Sequence, residues 1–152
     1  MQPFRFVHAA DLHIDSPFKG LLKYESRIAQ RLKEATFEAY ENLIDLCIAQ
    51  NVNFLVIAGD VYDGADRSVQ AQMRFRDGLA RLHEHGIQSV VVHGNHDPLD
   101  GRLSRIRMPE SAHTFGPEPE WVTASIAGTS VAQIPIAQIP IAQIQGISYP
   151  TQ

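Results

Sequence analysis

SVVVHGNHDPLD, Ser89 to Asp100, ends an apolar run by placing an amide, an imidazole and a carboxylate in consecutive positions. Val90 to Val92 read as a buried strand. Gly94 and Asn95 suit a turn, but a turn has no need of His96 and Asp97 beside them. A strand that finishes this way implies a site at its end, with other walls supplied from elsewhere in the chain.

Two earlier segments repeat the pattern. FRFVHAA (Phe4–Ala10) and VNFLVIA (Val52–Ala58) are β-branched or aromatic runs of strand length, as is IQSVVVH (Ile87–His93). Between the first two, Ser26 to Gln50 has helical spacing, with Ile28, Leu32, Ala35, Ala39, Leu43 and Leu46 as the expected apolar face. Between the second and third, Ser68 to His85 places Val69, Met73, Phe75, Leu79 and Leu82 along a helix. Ser68 is its expected N-cap and Gly86 its left-handed stop, while His83 and His85 suit the C-terminal dipole. Strand, helix, strand, helix, strand predicts parallel strands joined by right-handed crossovers. The fold class is therefore α/β, a βαβαβ-type layered sheet with flanking helices.

Sites in such sheets form beyond the carboxyl ends of the strands. The three strands run out into DLHID (Asp11–Asp15), GDVYD (Gly59–Asp63) and GNHD (Gly94–Asp97). One edge thus gathers Asp11, His13, Asp60, Asn95 and His96, with Asp63 and Asp97 behind them. None of the three clusters contains Lys or Arg, so divalent cations are the economical compensation for the clustered carboxylates. Carboxylate, imidazole and amide donors without thiolate suit manganese, iron or zinc. Extended backbone through Asp11-x-His13 would point both side chains the same way. Asp60, at the end of the middle strand, is placed to bridge two ions. Any one cluster alone reads as an ordinary turn or cap; the three together read as a metal site.

At 152 residues the chain can bury a real core, and its 44% hydrophobic and 20% charged content are ordinary for a globular protein. A net charge of -4 gives no global attraction for nucleic acid, so DNA binding would need a local surface or bound cations. The single Cys47 excludes an internal disulfide. No run is long enough to span a membrane, and MQPFRFVHAADLH lacks the basic and apolar regions of a secretory signal, so the expected location is cytoplasmic.

DLH, GDVYD and GNHD, in this order, resemble the first three signature blocks of the calcineurin-like metallophosphoesterases. The fuller opening HAADLHIDSPFKGL, His8 to Leu21, is similar more narrowly to the SbcD-type DNA repair exonucleases, the nuclease subunits that work with SMC-like coiled-coil ATPases. The resemblance covers positions 4 to 116, and IQGISY (Ile144–Tyr149) looks like a later strand of the same domain. It implies a dinuclear metal-dependent phosphodiesterase with manganese foremost, and iron or zinc as alternatives. Asp11 and His13 would bind the first ion, Asp60 both, and Asn95 the second. His96 would stabilise the phosphate or protonate the leaving oxygen, Asp97 would orient His96, and Asp63 would stand behind the ligands. DNA, an SMC-like ATPase subunit and a second copy of the chain are the implied partners.

The family's later histidine blocks have no counterpart after Asn95; His113 in SAHTFG reads as a strand-end residue. Residues 1–152 therefore read as the amino-terminal portion of one metallophosphoesterase domain, truncated, with an incomplete second metal site and weak activity or none alone. VAQIPIAQIPIAQIQ (Val131–Gln145) repeats a five-residue unit three times, and 131–143 is expected to be an atypical insertion ahead of a strand made by the last copy. In DGRLSRIRM, Arg102, Arg105 and Arg107 are candidate phosphate or DNA contacts, with a solvated surface as the plain alternative. A small-substrate metallophosphoesterase and a non-catalytic remnant module stay open beside the nuclease.

Overall fold

The computed structural model describes residues 3–18, 26–64, 67–98, 106–126 and 139–149. The elements are β1 (Phe6–Ala10), α1 (Ser26–Ala49), β2 (Phe54–Ala58), α2 (Val69–Glu84), β3 (Gln88–Val92), β4 (Ala112–Thr114), β5 (Glu120–Ile126) and β6 (Ile139–Gly146). The first four strands form one sheet in the order β1-β2-β3-β4, and every pairing in it is parallel. β5 and β6 form a separate antiparallel pair.

Both helices stop by the same device. Gly86, at φ 71, donates to the His83 carbonyl at 2.9 Å while Ile87 donates to Leu82 at 2.9 Å. Asn51, at φ 46, does the same for α1, donating to Ile48 at 3.0 Å while Val52 donates to Cys47 at 3.2 Å. These paired bonds satisfy carbonyls that a helix end leaves orphaned, and a left-handed residue makes them possible. Ser68 caps α2 at its start, its hydroxyl accepting from Ala71 N at 3.0 Å.

The main core lies between the helices and one face of the sheet. Leu55, Ile57 and Val91 meet Phe37, Tyr40, Ile44 and Cys47 of α1 and Ala71, Phe75, Leu79 and Leu82 of α2. The apolar face expected for α1 is corrected by about one residue of rotation. Ala29, Phe37, Tyr40, Ile44 and Cys47 are buried, whereas Ile28 and Leu46 are about half exposed. The aromatic pair decides this: Phe37 and Tyr40 fill more volume than Ala35 and Ala39, which a pattern of apolar letters weighs equally. In α2, Phe75, Leu79 and Leu82 are buried, but Val69 and Met73 are exposed and Ala71 and Gly78 take their place. Gly78 is required there, because a Cβ at that position would lie 2.5 Å from the Tyr40 hydroxyl.

On the sheet's other face, Phe6 and Phe54 stack at 5.1 Å and Phe4 lies 5.7 Å from Phe54. The β5–β6 pair attaches through Gln88, whose Oε1 accepts from Ser125 N at 2.6 Å. Of the pentapeptide repeat, residues 131–138 lie outside the described residues, and the last copy is part of β6. The pairing slips between Ala124 and Ser125, opposite Ala142 and Pro140, so the proline sits at an irregularity of a two-stranded ribbon. That is where a residue without an N–H is tolerated. Beyond β6, Ser148 N donates to Gly116 O at 2.8 Å and Tyr149 N to His93 O at 2.9 Å, bringing this segment against the end of β3.

Candidate metal centre

The loops after β1 and β2 continue side by side once the strands end. Asp11 N donates to Gly59 O at 3.3 Å, His13 N to Asp60 O at 3.0 Å and Ile14 N to Val61 O at 2.9 Å. Gly59 N in turn donates to Val92 O at 2.9 Å, joining the loop after β3. Three separate parts of the sequence therefore meet at one rim.

Asp11 and His13 do converge, but not through extended backbone. Asp11 has φ 52 and His13 φ 44, and Asp60 has φ 46, so all three stand in the left-handed region. The expected strand-like alternation through Asp11-x-His13 is thus corrected; a double left-handed kink aims the two side chains instead. Such conformations cost about 1–3 kcal/mol each and persist where the surroundings over-determine them. The backbone ladder between the two loops supplies that constraint.

The ligand atoms of Asp11, His13 and Asp60 lie within 4.8 Å of one another, and so do those of His13, Asp63 and His96. The two groups share His13. Its Nδ1 is buried, has no hydrogen-bond partner, and stands 3.7 Å from Asp63 Oδ1. Asp60 is largely buried, and its Oδ1 accepts from His96 N at 3.0 Å. Gly94 is packed so tightly on this carboxylate that a Cβ there would lie 2.1 Å from Asp60 Oδ1. Asn95 is exposed on the wall of an adjoining cleft of about 450 Å³, which Gly59, Gly94, Ile147 and Tyr149 also line.

The carboxylate next to His96 is not the one expected from the sequence. His96 Nδ1 lies 3.3 Å from Asp63 Oδ1, and the His96 ring meets that of His13 edge-on at 5.4 Å. Asp97 faces away into the protein and is fully buried. Its Oδ2 accepts from His93 Nδ1 at 2.9 Å, Val61 N at 3.0 Å and Tyr62 N at 3.3 Å, and its Oδ1 from Gly94 N at 2.9 Å. The expected Asp97–His96 pair is thus corrected to Asp97–His93, because the turn after β3 directs residues 96 and 97 to opposite sides.

Asp63 is held below the usual carboxylate range, first by the Ser16 hydroxyl at 2.8 Å and then by the imidazoles of His96 and His13. Ser16 is itself largely buried. Asp15 pairs with Lys33 of α1 at 2.7 Å, and its N–H donates to Thr36 Oγ1 at 3.1 Å. Ser16, Lys33 and His93 carry no local signal in the sequence. Nothing in their spacing marks them, since each acts across 18 or more residues or through a turn. His113 lies within β4, its Nε2 3.3 Å from Glu120 Oε1 and away from the rim groups. Arg102 and Arg105 lie outside the described residues, and Arg107 is exposed.

The donor set fits a divalent cation. Carboxylates and imidazoles converge without thiolate, and the buried His13 Nδ1 makes no hydrogen bond that a metal ligand would have to give up. A parallel sheet with such a rim defines an α/β protein with a candidate metal site at its strand ends.

Residues 4–147 match the family model described as calcineurin-like phosphoesterase, and the chain belongs to that family of metal-dependent hydrolases. An uncharacterized metallophosphoesterase, YhaO of Bacillus subtilis (strain 168), is 44% identical over 110 residues, which cover 72% of this chain and 27% of that protein. A nuclease SbcCD subunit of Rhodobacter capsulatus is 32% identical over 110 residues, covering 70% of this chain and 24% of its own length. The chain thus spans about a quarter of the length of these curated relatives. Among solved structures, the nuclease MPE of Pseudomonas putida aligns with a TM-score of 0.45 at 22% identity, over 74% of this chain and 55% of that one. No described helix is long and apolar enough to cross a membrane.

Proposed function

We propose that these residues form the amino-terminal part of the active site of a manganese-dependent phosphodiesterase that cleaves DNA. The observation that carries the reading is the pair of overlapping donor groups at the rim, sharing a His13 whose buried Nδ1 makes no hydrogen bond. Similarity to a protein named as a nuclease SbcCD subunit supports DNA as the substrate. From the resemblance of the opening stretch to SbcD-type exonucleases, an SMC-like coiled-coil ATPase is its proposed partner, and a second copy of the chain is another.

In this proposal Asp11 and His13 would hold one ion, Asp60 would contribute to both, and Asn95 would hold the second. A bound pair of divalent ions supplies Lewis-acid activation of the phosphoryl group and of the attacking water. His96, exposed at the rim, meets the substrate phosphate and offers a proton to the leaving oxygen. Asp63 fixes the ring by accepting a hydrogen bond from Nδ1–H, which leaves the Nε2–H of the imidazolium for the leaving oxygen. Asp63 itself stays ionised because Ser16 donates to it.

The test is hydrolysis of a labelled DNA duplex and of bis(p-nitrophenyl) phosphate, each with added Mn²⁺ and with chelator. Manganese-dependent DNA cleavage supports the proposal. Hydrolysis of the small diester with intact DNA would replace it by a small-substrate phosphoesterase. No hydrolysis and no bound metal would leave a non-catalytic module.

A further inference from the structure

We propose that His93 and Asp97 form a clamp that sets the spacing between the loop carrying Asp60 and the loop carrying Asn95 and His96. This makes them positioning residues for the metal centre, and that consequence rests on the metal reading above. The carboxylate of Asp97 grips both loops at once. It accepts from Val61 N and Tyr62 N, directly after Asp60, and from Gly94 N, directly before Asn95. His93 completes the grip through Nδ1 at 2.9 Å, and since a carboxylate only accepts, the imidazole carries its proton there.

The clamp is anchored from a third direction. His93 N donates to Ser148 Oγ at 3.0 Å, Ser148 Oγ donates to Phe115 O at 2.6 Å, and Tyr149 N donates to His93 O at 2.9 Å. His93 is 6% exposed and Asp97 0%, so both polar groups are held where a lost partner is costly. Asp60 is pinned on its other side by His96 N and by close packing with Gly94. Relaxing Asp97 therefore moves Asp60 relative to Asn95, and with it the gap any bridging ion must fit.

The experiment compares wild type, His93→Ala and His93→Asn, because the Asn amide nitrogen can replace Nδ1 whereas Ala leaves nothing. Amide exchange by NMR reads Val61, Tyr62 and Gly94, with Leu55 and Val56 as controls in β2. Mn²⁺ affinity is read by EPR titration. In His93→Ala the three clamp amides should exchange about tenfold faster while the controls hold. Mn²⁺ should bind about 10–100-fold more weakly, the usual effect of losing a partner behind the ligands, and His93→Asn should restore both. Unchanged exchange at the three amides in His93→Ala would overturn the clamp whatever the metal does. Equal acceleration at clamp and control amides without rescue by Asn would also overturn it, as a general loss of stability. Wild type that takes up no Mn²⁺ while the exchange pattern appears would remove the metal reading and support the clamp.

Discussion

The Asp60 side chain accepts the backbone N–H of His96 through Oδ1 at 3.0 Å, so the candidate bridging carboxylate is oriented by the loop that carries the candidate phosphate-facing histidine. Asn at position 60 keeps an oxygen for that bond but loses the charge and the second oxygen.

Asp60→Asn should therefore fold normally and bind Mn²⁺ more than about tenfold more weakly, a loss at least as large as that caused by removing a group behind the ligands. Elemental analysis after equilibration with Mn²⁺ checks this. Unchanged metal content would mean that Asp60 bridges nothing.

In a full-length version of the domain, His96→Ala should keep the metal and slow turnover by about 10²–10⁴-fold, the size of a general-acid contribution. Metal content and single-turnover rates of the same preparation separate the outcomes. Loss of metal would make His96 a ligand, in the group it already forms with His13 and Asp63.

Ser16→Ala should raise the pKa of Asp63 back toward the ordinary carboxylate value, because the Ser16 hydroxyl is the first cause of its lowering. A carboxyl ¹³C titration reads this directly. The sign for stability follows: a lowered folded pKa stabilises above the unfolded pKa, and that gain is lost as pH falls through the folded value. The difference in urea midpoint between wild type and Ser16→Ala should thus be full at neutral pH and shrink in acid. About a third of the Asp63 side chain is exposed, so solvent screening keeps the difference small.

Gly78→Ala should destabilise the chain by about 1–3 kcal/mol, the usual cost of overpacking. The new methyl would press on the Tyr40 ring, which is fixed by its hydroxyl bond to Phe75 O at 2.8 Å. Burial pushes the Tyr40 phenol well above its usual pKa, so it remains a donor throughout the accessible range. Urea unfolding checks this, and an unchanged midpoint would mean that Tyr40 yields freely.

The three parallel strands and both helices were legible because their patterns are local: β-branched runs, a cap at Ser68, and a stop at Gly86. The rim was legible because parallel strands share a carboxyl edge, so Asp11, His13 and Asp60 could be placed together from topology alone. What failed depended on side-chain direction. The α1 face turned because Phe37 and Tyr40 outweigh alanines of the same polarity. The choice between Asp63 and Asp97 as partner to His96 rests on one tight turn, which no spacing rule fixes. β5 carries a weaker local signal, although Trp121 is exposed and Ala124 buried.

The left-handed backbone at Asp11, His13 and Asp60 has an evolutionary corollary. Valine, isoleucine or threonine at these positions would fail twice, by removing a donor and by clashing with their own main chain. Asparagine and glycine would fail only once. Saturation mutagenesis scored for folding alone should therefore enrich those two residues at all three positions. A lineage that abandoned catalysis would drift through them first, leaving an intact scaffold around a silent rim.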